Sequence, residues 1–377
     1  MEILQKRIGL PRDYYHDESV FEKEKELFFE RMWLLAAREE DLRGVGDYVV
    51  REIAGESFFL VRGRDNKIRA YHNVCRHRGS QLLMEKGTVG SVIQCPYHAW
   101  SYDLDGKLVG VPEHHRFERL EKEKLGLFQL KVDVWDGFVF VNMNRESQSF
   151  QEVFSDFSKM WEHLNLGELR RASKLVYDVK ANWKIIVENY SECYHCLPVH
   201  PKLNKITPFG GSSRTEYLSW AENRLFSGGF MVFADGYTSM TTSGTTKRSP
   251  IKGTRQEDLR RIYYYLLVPN MFFSLHPDYL MVHTLWPKNK DETRIECDFY
   301  FAEEEKAKPQ FDPSDAVEVW DEINRQDWMV CEAAHKGTGS SFYQPGPMPE
   351  NEDQVWNFDQ FVHDALNSGQ CQWTSSL

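Results

Sequence analysis

Residues 75–83, CRHRGSQLL, and 95–106, CPYHAWSYDLDG, decide how this chain folds and what it carries. Cys75 and His77 stand as Cys-x-His; after a 17-residue gap, Cys95 and His98 stand as Cys-x-x-His. Two loops that each deliver one thiolate and one imidazole suit a [2Fe-2S] centre whose cysteines hold one iron and whose histidines hold the other. Imidazole ligands lift such a centre to about −150 to +300 mV, so it passes single electrons at moderate potential. Structural zinc also takes two Cys and two His, but usually pairs like with like, as C-x₂₋₄-C and H-x₃₋₅-H. The flanks support iron–sulfur loops set among strands. SFFLVRG (57–63), IRAYHNV (68–74) and SVIQ (91–94) read as strands, and Asp105-Gly106 as a hairpin turn.

The bulk numbers narrow the classes. At 377 residues, with 41% hydrophobic and 14% aromatic content, the chain is long enough for two domains and a large core. No window approaches 18 apolar residues, and MEILQKRIGLPRDYYHDE lacks a signal-peptide core, so a soluble cytoplasmic protein with no membrane partner is expected. A net charge of −11 disfavours nucleic acid and leans toward a cationic ligand. The seven cysteines (75, 95, 193, 196, 297, 331 and 371) are not spaced as a disulfide framework. Cys193 and Cys196 form a C-x-x-C on an expected helix and read as small core residues.

Residues 15–40 read as a charged amphipathic helix within an N-terminal segment, 1–44, that packs on the last domain. Residues 45–150 form a strand-rich cluster domain closing with WDGFVFVNM (135–143), and 151–377 form a second metal domain. RIYYYLLVP (261–269), YLMVHTLWP (279–287) and TRIECDFYF (293–301) read as strands. The stretch 238–256, poor in apolar residues and rich in turn formers, reads as a mobile loop, with a lid over a pocket as one role for it.

One-electron supply needs a consumer, and NWKIIVENYSECYHCLPVHP (182–201) offers it. Trp183, Ile186, Val187 and Tyr190 recur at helical spacing, and Glu192 and His195, three apart, are expected on one side of that helix. Pro198 breaks the helix and lets His200 swing toward His195. Two histidines and one carboxylate make the facial triad of a mononuclear Fe(II) oxygenase. In the helix expected over 314–337, 100° steps put Asp327 on the apolar side with Trp320, Ile323, Val330, Cys331 and Ala334. An acid there needs a cation, which makes Asp327 the third metal ligand. His72, His114, His115, His163, His276, His283, His335 and His363 read as structural.

With these motifs in place, the chain resembles the catalytic (α) subunits of the Rieske non-haem iron oxygenases over nearly its whole length. Within them it is similar to the branch acting on glycine betaine, choline, carnitine and stachydrine. The wider family places Asp three residues before the first iron-binding His, and the carnitine-type enzymes place Glu there, as Glu192 stands here. The resemblance implies an α+β fold: an antiparallel β Rieske domain plus a catalytic domain whose curved antiparallel sheet is wrapped by helices. It implies a homotrimer in which His98 of one chain reaches Glu192, the catalytic bridge, of the next. It also implies a flavin- and ferredoxin-type NAD(P)H reductase as partner, since no dinucleotide-binding Gly-rich motif occurs here. The expected reaction uses O₂ to hydroxylate a quaternary ammonium compound, with N-demethylation and formaldehyde release. Hydroxylation or O-demethylation of an aromatic compound is the alternative. Tyr194, Phe209, Tyr237, Phe272, Phe273 and Trp286 are the aromatic candidates for the cation, and Lys205, Arg214 and Arg224 the basic candidates for a substrate carboxylate.

Overall fold

A computed structural model describes residues 7–209, 216–218 (backbone only) and 225–369. It divides into two compact units, Phe29–Val153 and the remainder on either side of it. Each is built on antiparallel sheet, and the class is α+β. Among the described residues no helix is long and apolar enough to cross a membrane.

The first unit holds ten strands: β1 (Leu34–Arg38), β2 (Asp47–Ile53), β3 (Glu56–Arg62), β4 (Ile68–His72), β5 (Lys86–Thr88), β6 (Val92–Gln94), β7 (Ser101–Asp103), β8 (Leu108–Gly110), β9 (Gln129–Trp135) and β10 (Phe138–Asn142). Seven form one sheet in the order β1-β10-β9-β4-β3-β2-β5, and β6-β7-β8 form a second. The Asp105-Gly106 turn joins β7 to β8, with Gly106 at φ +80°, the left-handed region that glycine enters without strain. Phe59, Ile93, Trp100 and Tyr102 form an apolar cluster that includes Cys75 and Cys95.

The helix expected over 15–40 is shorter. It runs Glu18–Glu24, capped where the Asp17 side chain accepts from Ser19 N–H, and continues as a wider turn to Phe29. Leu34–Arg38 is instead strand β1, paired with β10. All five of its residues are buried, and a short apolar run of that kind carries no period that separates strand from helix.

The second unit contains β11 (Leu169–Val179), β12 (Glu216–Leu218), β13 (Phe226–Val232), β14 (Arg261–Leu267), β15 (Met271–Leu275), β16 (Leu280–Asn289) and β17 (Glu292–Ala302). Their order is β11-β17-β16-β15-β14-β13-β12. Every residue of β15 and the first eight of β16 are buried, so this sheet is covered on both faces. The helices Trp183–Tyr190, Ser314–Thr338 and Asp353–Ser368 supply cover.

The stretch 238–256 is pinned rather than mobile. Arg248 pairs with Asp278 at 2.9 Å and Asp315 at 2.7 Å, Ser239 donates to Asp278, and the Tyr279 hydroxyl donates to the Met240 carbonyl. Ser239 and Arg248 satisfy the buried Asp278, and polar composition there marks a hydrogen-bonded loop.

One buried ion pair anchors the helix that leads to the metal site. Lys184 Nζ lies 2.5 Å from Glu24 Oε1 with both side chains fully buried, and Trp183 Nε1–H donates to the other carboxylate oxygen at 2.8 Å. Lys184→Met strands a buried carboxylate and is expected to lower unfolding stability by about 3–5 kcal/mol. The double change with Glu24→Leu is expected to recover most of that loss. Urea unfolding curves of the two variants check it: equal destabilisation would refute the pairing.

Candidate functional site

The two cysteine–histidine loops share one backbone design. In the first, Cys75 N–H donates to Ser80 O and Gly79 N–H to Cys75 O; in the second, Cys95 N–H donates to Trp100 O and Ala99 N–H to Cys95 O. Residue i+4 is left-handed in both, Gly79 at φ +75° and Ala99 at φ +57°. The Ala conformation costs about 1–2 kcal/mol, which the surrounding contacts must offset. Asn73 ties the first loop down: its amide donates to Leu83 O at 2.8 Å and accepts from the N–H groups of Leu82 and Leu83. The Cys75 and Cys95 thiols face each other, each 2 % exposed, and the His77 and His98 rings lie 4.7 Å apart between centroids. His77 stacks on Trp100, and its Nδ1 is buried without a hydrogen-bond partner among the described residues. Paired buried thiols and an orphaned imidazole nitrogen are the donor set a [2Fe-2S] cluster takes.

In the second unit, His195, His200 and Asp327 each offer a ligand atom within 4.8 Å of the others. His195 Nε2 lies 3.2 Å and His200 Nε2 2.8 Å from the same Asp327 Oδ1. The route to this arrangement differs from the expected one. The helix Trp183–Tyr190, capped by the Asn182 side chain, ends before Glu192, so Glu192 and His195 share a turn and not a helix face. The Glu192 carboxylate accepts from the backbone N–H groups of Tyr194 and His195 and faces His195 Nδ1. A side-chain acceptor that close competes with helix continuation.

Pro198 does not make the break either. It sits inside the short helix Cys196–Val199, within the first turn where its missing N–H is tolerated. The break falls at His200 (φ −122°, ψ 70°), which precedes Pro201, the first residue of the next helix. A residue before proline is pushed out of the helical region, and this turns His200 toward Asp327. Along Ser314–Thr338, Asp327 stands at the edge of the buried face; Asn324, Trp328, Cys331 and His335 centre it, while Ala334 is exposed.

Electrostatics favour a cation here. Burial pushes His195 down, but hydrogen bonds to Asp327 and Glu192 outweigh it and hold the imidazole at about 10. Burial pushes Asp327 up, and hydrogen bonds to His195 and His200 bring it below the usual carboxylate range. A site that holds a proton this tightly between neutral-ligand nitrogen and carboxylate offers a divalent metal the same donors. Two imidazoles and one carboxylate are the donor set of a mononuclear iron site with open positions.

A second His₂Asp group, His16–Asp291–His335, is built differently. His335 Nδ1 accepts from Asn182 N–H, so Nε2 carries the proton it gives Asp291 at 3.2 Å. His16 Nε2 donates to Thr338, whose own proton goes to His335 O. The nitrogen of His335 that faces Asp291 has no free lone pair, and the group is a hydrogen-bond network.

Cys193 and Cys196 are buried, as expected of small core residues, but only Cys196 is on a helix, as the first residue of Cys196–Val199. They straddle His195 in the turn, 4.9 Å apart between Cα atoms, and are joined as a disulfide. Four free cysteines among the described residues, 75, 95, 297 and 331, are all buried.

A pocket opens over the His195–His200–Asp327 group. Tyr190, Phe230, Tyr264, Trp320 and Trp328 supply its aromatic walls, and His283 also lines it. Burial pushes His283 down to about 4, so it is neutral at pH 7. Among the described lining residues no Lys or Arg occurs, and Glu192 and Asp327 are the carboxylates. None of the expected aromatic residues lines it. Tyr194 is 58 % exposed, Phe272, Phe273 and Trp286 are buried within the sheet, and Phe209 and Tyr237 lie outside. Strand alternation explains the exchange: Tyr264 and Leu266 of β14, and Met281 and His283 of β16, face the pocket at period two. Lys205 is exposed and does not line it; Arg214 and Arg224 lie outside the described residues.

Comparisons with known proteins agree with both units. Residues 32–129 match the Rieske [2Fe-2S] domain, and residues 166–368 match the ring hydroxylating alpha subunit (catalytic domain). The carnitine monooxygenase oxygenase subunit of Acinetobacter pittii is 30% identical over 342 residues, covering 89% of this chain and 86% of its own. The glycine betaine monooxygenase oxygenase subunit of Pseudomonas aeruginosa is 27% identical, covering 96% of this chain and 90% of its own. The solved quaternary ammonium Rieske monooxygenase CntA, in complex with L-carnitine, superimposes with a TM-score of 0.79 at 26% identity, covering 97% of each chain.

Proposed function

The chain belongs to the Rieske non-haem iron oxygenase α subunits, and from that premise we propose that it hydroxylates a quaternary ammonium compound at an N-methyl carbon. It is the oxygenase component of a system in which a reductase supplies the electrons. The observation that carries the substrate class is the pocket: five aromatic side chains, two carboxylates and, among its described lining, no basic side chain. A trimethylammonium head has no N–H to donate and is held by ring faces, each contributing about 0.5–2 kcal/mol. The relatives named for carnitine and glycine betaine support the same class.

Cys75 and Cys95 would hold one iron of the cluster, His77 and His98 the other, while His195, His200 and Asp327 would hold the mononuclear iron. With O₂ and two electrons, the iron supplies the hydroxylating chemistry. Glu192, fixed by two backbone N–H groups, holds His195 through Nδ1 and keeps its Nε2 toward Asp327. His98 is half-exposed at its loop tip, where a neighbouring chain can meet it. In a ring of three, His98 of one chain would donate to Glu192 of the next, giving the electron a hydrogen-bonded path. The partner would be a flavin- and ferredoxin-type reductase in the cytoplasm, where NAD(P)H is available. A hydroxylated N-methyl group collapses to the demethylated amine and formaldehyde.

The test is substrate-dependent O₂ uptake with formaldehyde detection, using iron-reconstituted protein, a surrogate reductase and NADH. The panel is glycine betaine, choline, carnitine, stachydrine and aromatic acids. Coupled uptake with a quaternary amine and equimolar formaldehyde is expected; turnover confined to an aromatic acid would overturn the substrate class.

A further inference from the structure

Both candidate iron-binding imidazoles point Nε2 at Asp327, and in both the opposite nitrogen, Nδ1, has an oxygen in front of it. For His195 that oxygen belongs to the Glu192 carboxylate; for His200 it is Gln326 Oε1, at 2.8 Å. We propose that Gln326 is the positioning residue for His200, as Glu192 is for His195: its amide oxygen keeps the proton of His200 on Nδ1, so that Nε2 is the nitrogen left free for metal. This rests on the reading of His195, His200 and Asp327 as iron ligands.

The argument is one of tautomers. A neutral imidazole has one N–H and one lone pair, and the partner of one nitrogen decides which it is. Gln326 Oε1 can only accept, so Nδ1 of His200 must donate. With its proton on Nδ1, His200 keeps on Nε2, beside Asp327 Oδ1, the lone pair that a metal there would take. His200 is 1 % exposed, so no bulk water competes for Nδ1. Gln326 adjoins Asp327 on the helix Ser314–Thr338. One dipeptide therefore supplies a ligand and orients another, tying His200 to the same rigid element as the carboxylate.

Glu192 is a carboxylate and Gln326 a neutral amide, so the two imidazoles meet acceptors of different charge at Nδ1. An outer partner of a metal-bound histidine contributes about 10–100-fold in metal affinity. Gln326→Ala and Gln326→Leu are expected to weaken Fe(II) binding by that factor. Gln326→Glu keeps an acceptor at Nδ1 and should bind within about threefold of the unaltered protein or tighter.

Fe(II) or Co(II) affinity, measured anaerobically by metal titration with a chelator competitor, tests this on four proteins: unaltered, Gln326→Ala, Gln326→Glu and Asp327→Ala. The visible spectrum of the cluster and circular dichroism check that each is folded. Loss in Gln326→Ala with recovery in Gln326→Glu supports the assignment. Unaltered affinity in folded Gln326→Ala overturns it, and so does an equal loss in Gln326→Glu, which would reveal a packing role. If the unaltered protein and Asp327→Ala bind metal equally, the iron-site reading itself fails, an outcome separate from the failure of Gln326 alone.

Discussion

Asp327→Ala is expected to lose the mononuclear iron and turnover while the cluster spectrum stays. Asp327 is the one oxygen shared by His195 Nε2 at 3.2 Å and His200 Nε2 at 2.8 Å. Without it two imidazoles remain, with no anion to offset the charge of a divalent metal. The iron contributes several kcal/mol of barrier lowering, and each 1.4 kcal/mol or so is tenfold in rate. Turnover should therefore fall by about 10³-fold or more. The cluster loops belong to the other compact unit, Phe29–Val153, and close their own hydrogen bonds, so their absorption should be unchanged. Iron analysis with the visible spectrum decides it: if the cluster disappears along with activity, Asp327 is not the ligand of a separate site. Asp327→Glu should recover part of the iron, because it keeps the charge and shifts the oxygen by about one methylene.

What the chain made legible depends on whether a residue's role is local. The Cys75/His77 and Cys95/His98 loops are self-contained turns with a fixed hydrogen-bond design, so spacing and residue type were enough to find them. The three quoted strands of the second sheet are legible because nine-residue stretches rich in β-branched and aromatic residues leave few alternatives; β14, β16 and β17 lie within two residues of those bounds. Asp327 was visible as an acid beside an apolar stripe, and the structure does bring it to His195 and His200. Features set by distant partners were hidden. Leu34–Arg38 becomes a strand through pairing with β10, about a hundred residues on. Arg248 pins its loop through Asp278 and Asp315, which no local pattern around 238–256 announces. The pocket aromatics depend on which face of each strand turns inward. RIYYYLL presents aromatics to both faces, Tyr264 to the pocket and Tyr265 against Phe157 and Trp161. Nothing within that strand says which is which. Pre-proline geometry at His200 was available in the sequence and carried the signal that Pro198 was credited with.

Glu192→Gln isolates the electron path from the metal site. The amide keeps an oxygen that can accept from His195 Nδ1, so iron should remain bound within about tenfold of the unaltered protein. What it loses is the negative charge. A carboxylate accepts hydrogen bonds about twice as strong as a neutral amide does, and it can hold two imidazoles at once: His195 of its own chain and, in the proposed ring, His98 of a neighbour. Replacing the charged acceptor with a neutral one weakens that link by about 1–1.5 kcal/mol, which thins the hydrogen-bonded path by about tenfold. The expected result in single turnover is therefore a pre-reduced cluster that persists about tenfold longer when O₂ and a quaternary amine are added, with product falling in proportion. Glu192→Ala should add iron loss to this, because His195 then has no acceptor at Nδ1. The two variants together separate the roles: iron loss only in Ala, electron-transfer loss in both. Cluster oxidation in Glu192→Gln at the unaltered rate, coupled to full product, would leave Glu192 as an orienting group for His195 and send the electron by another route.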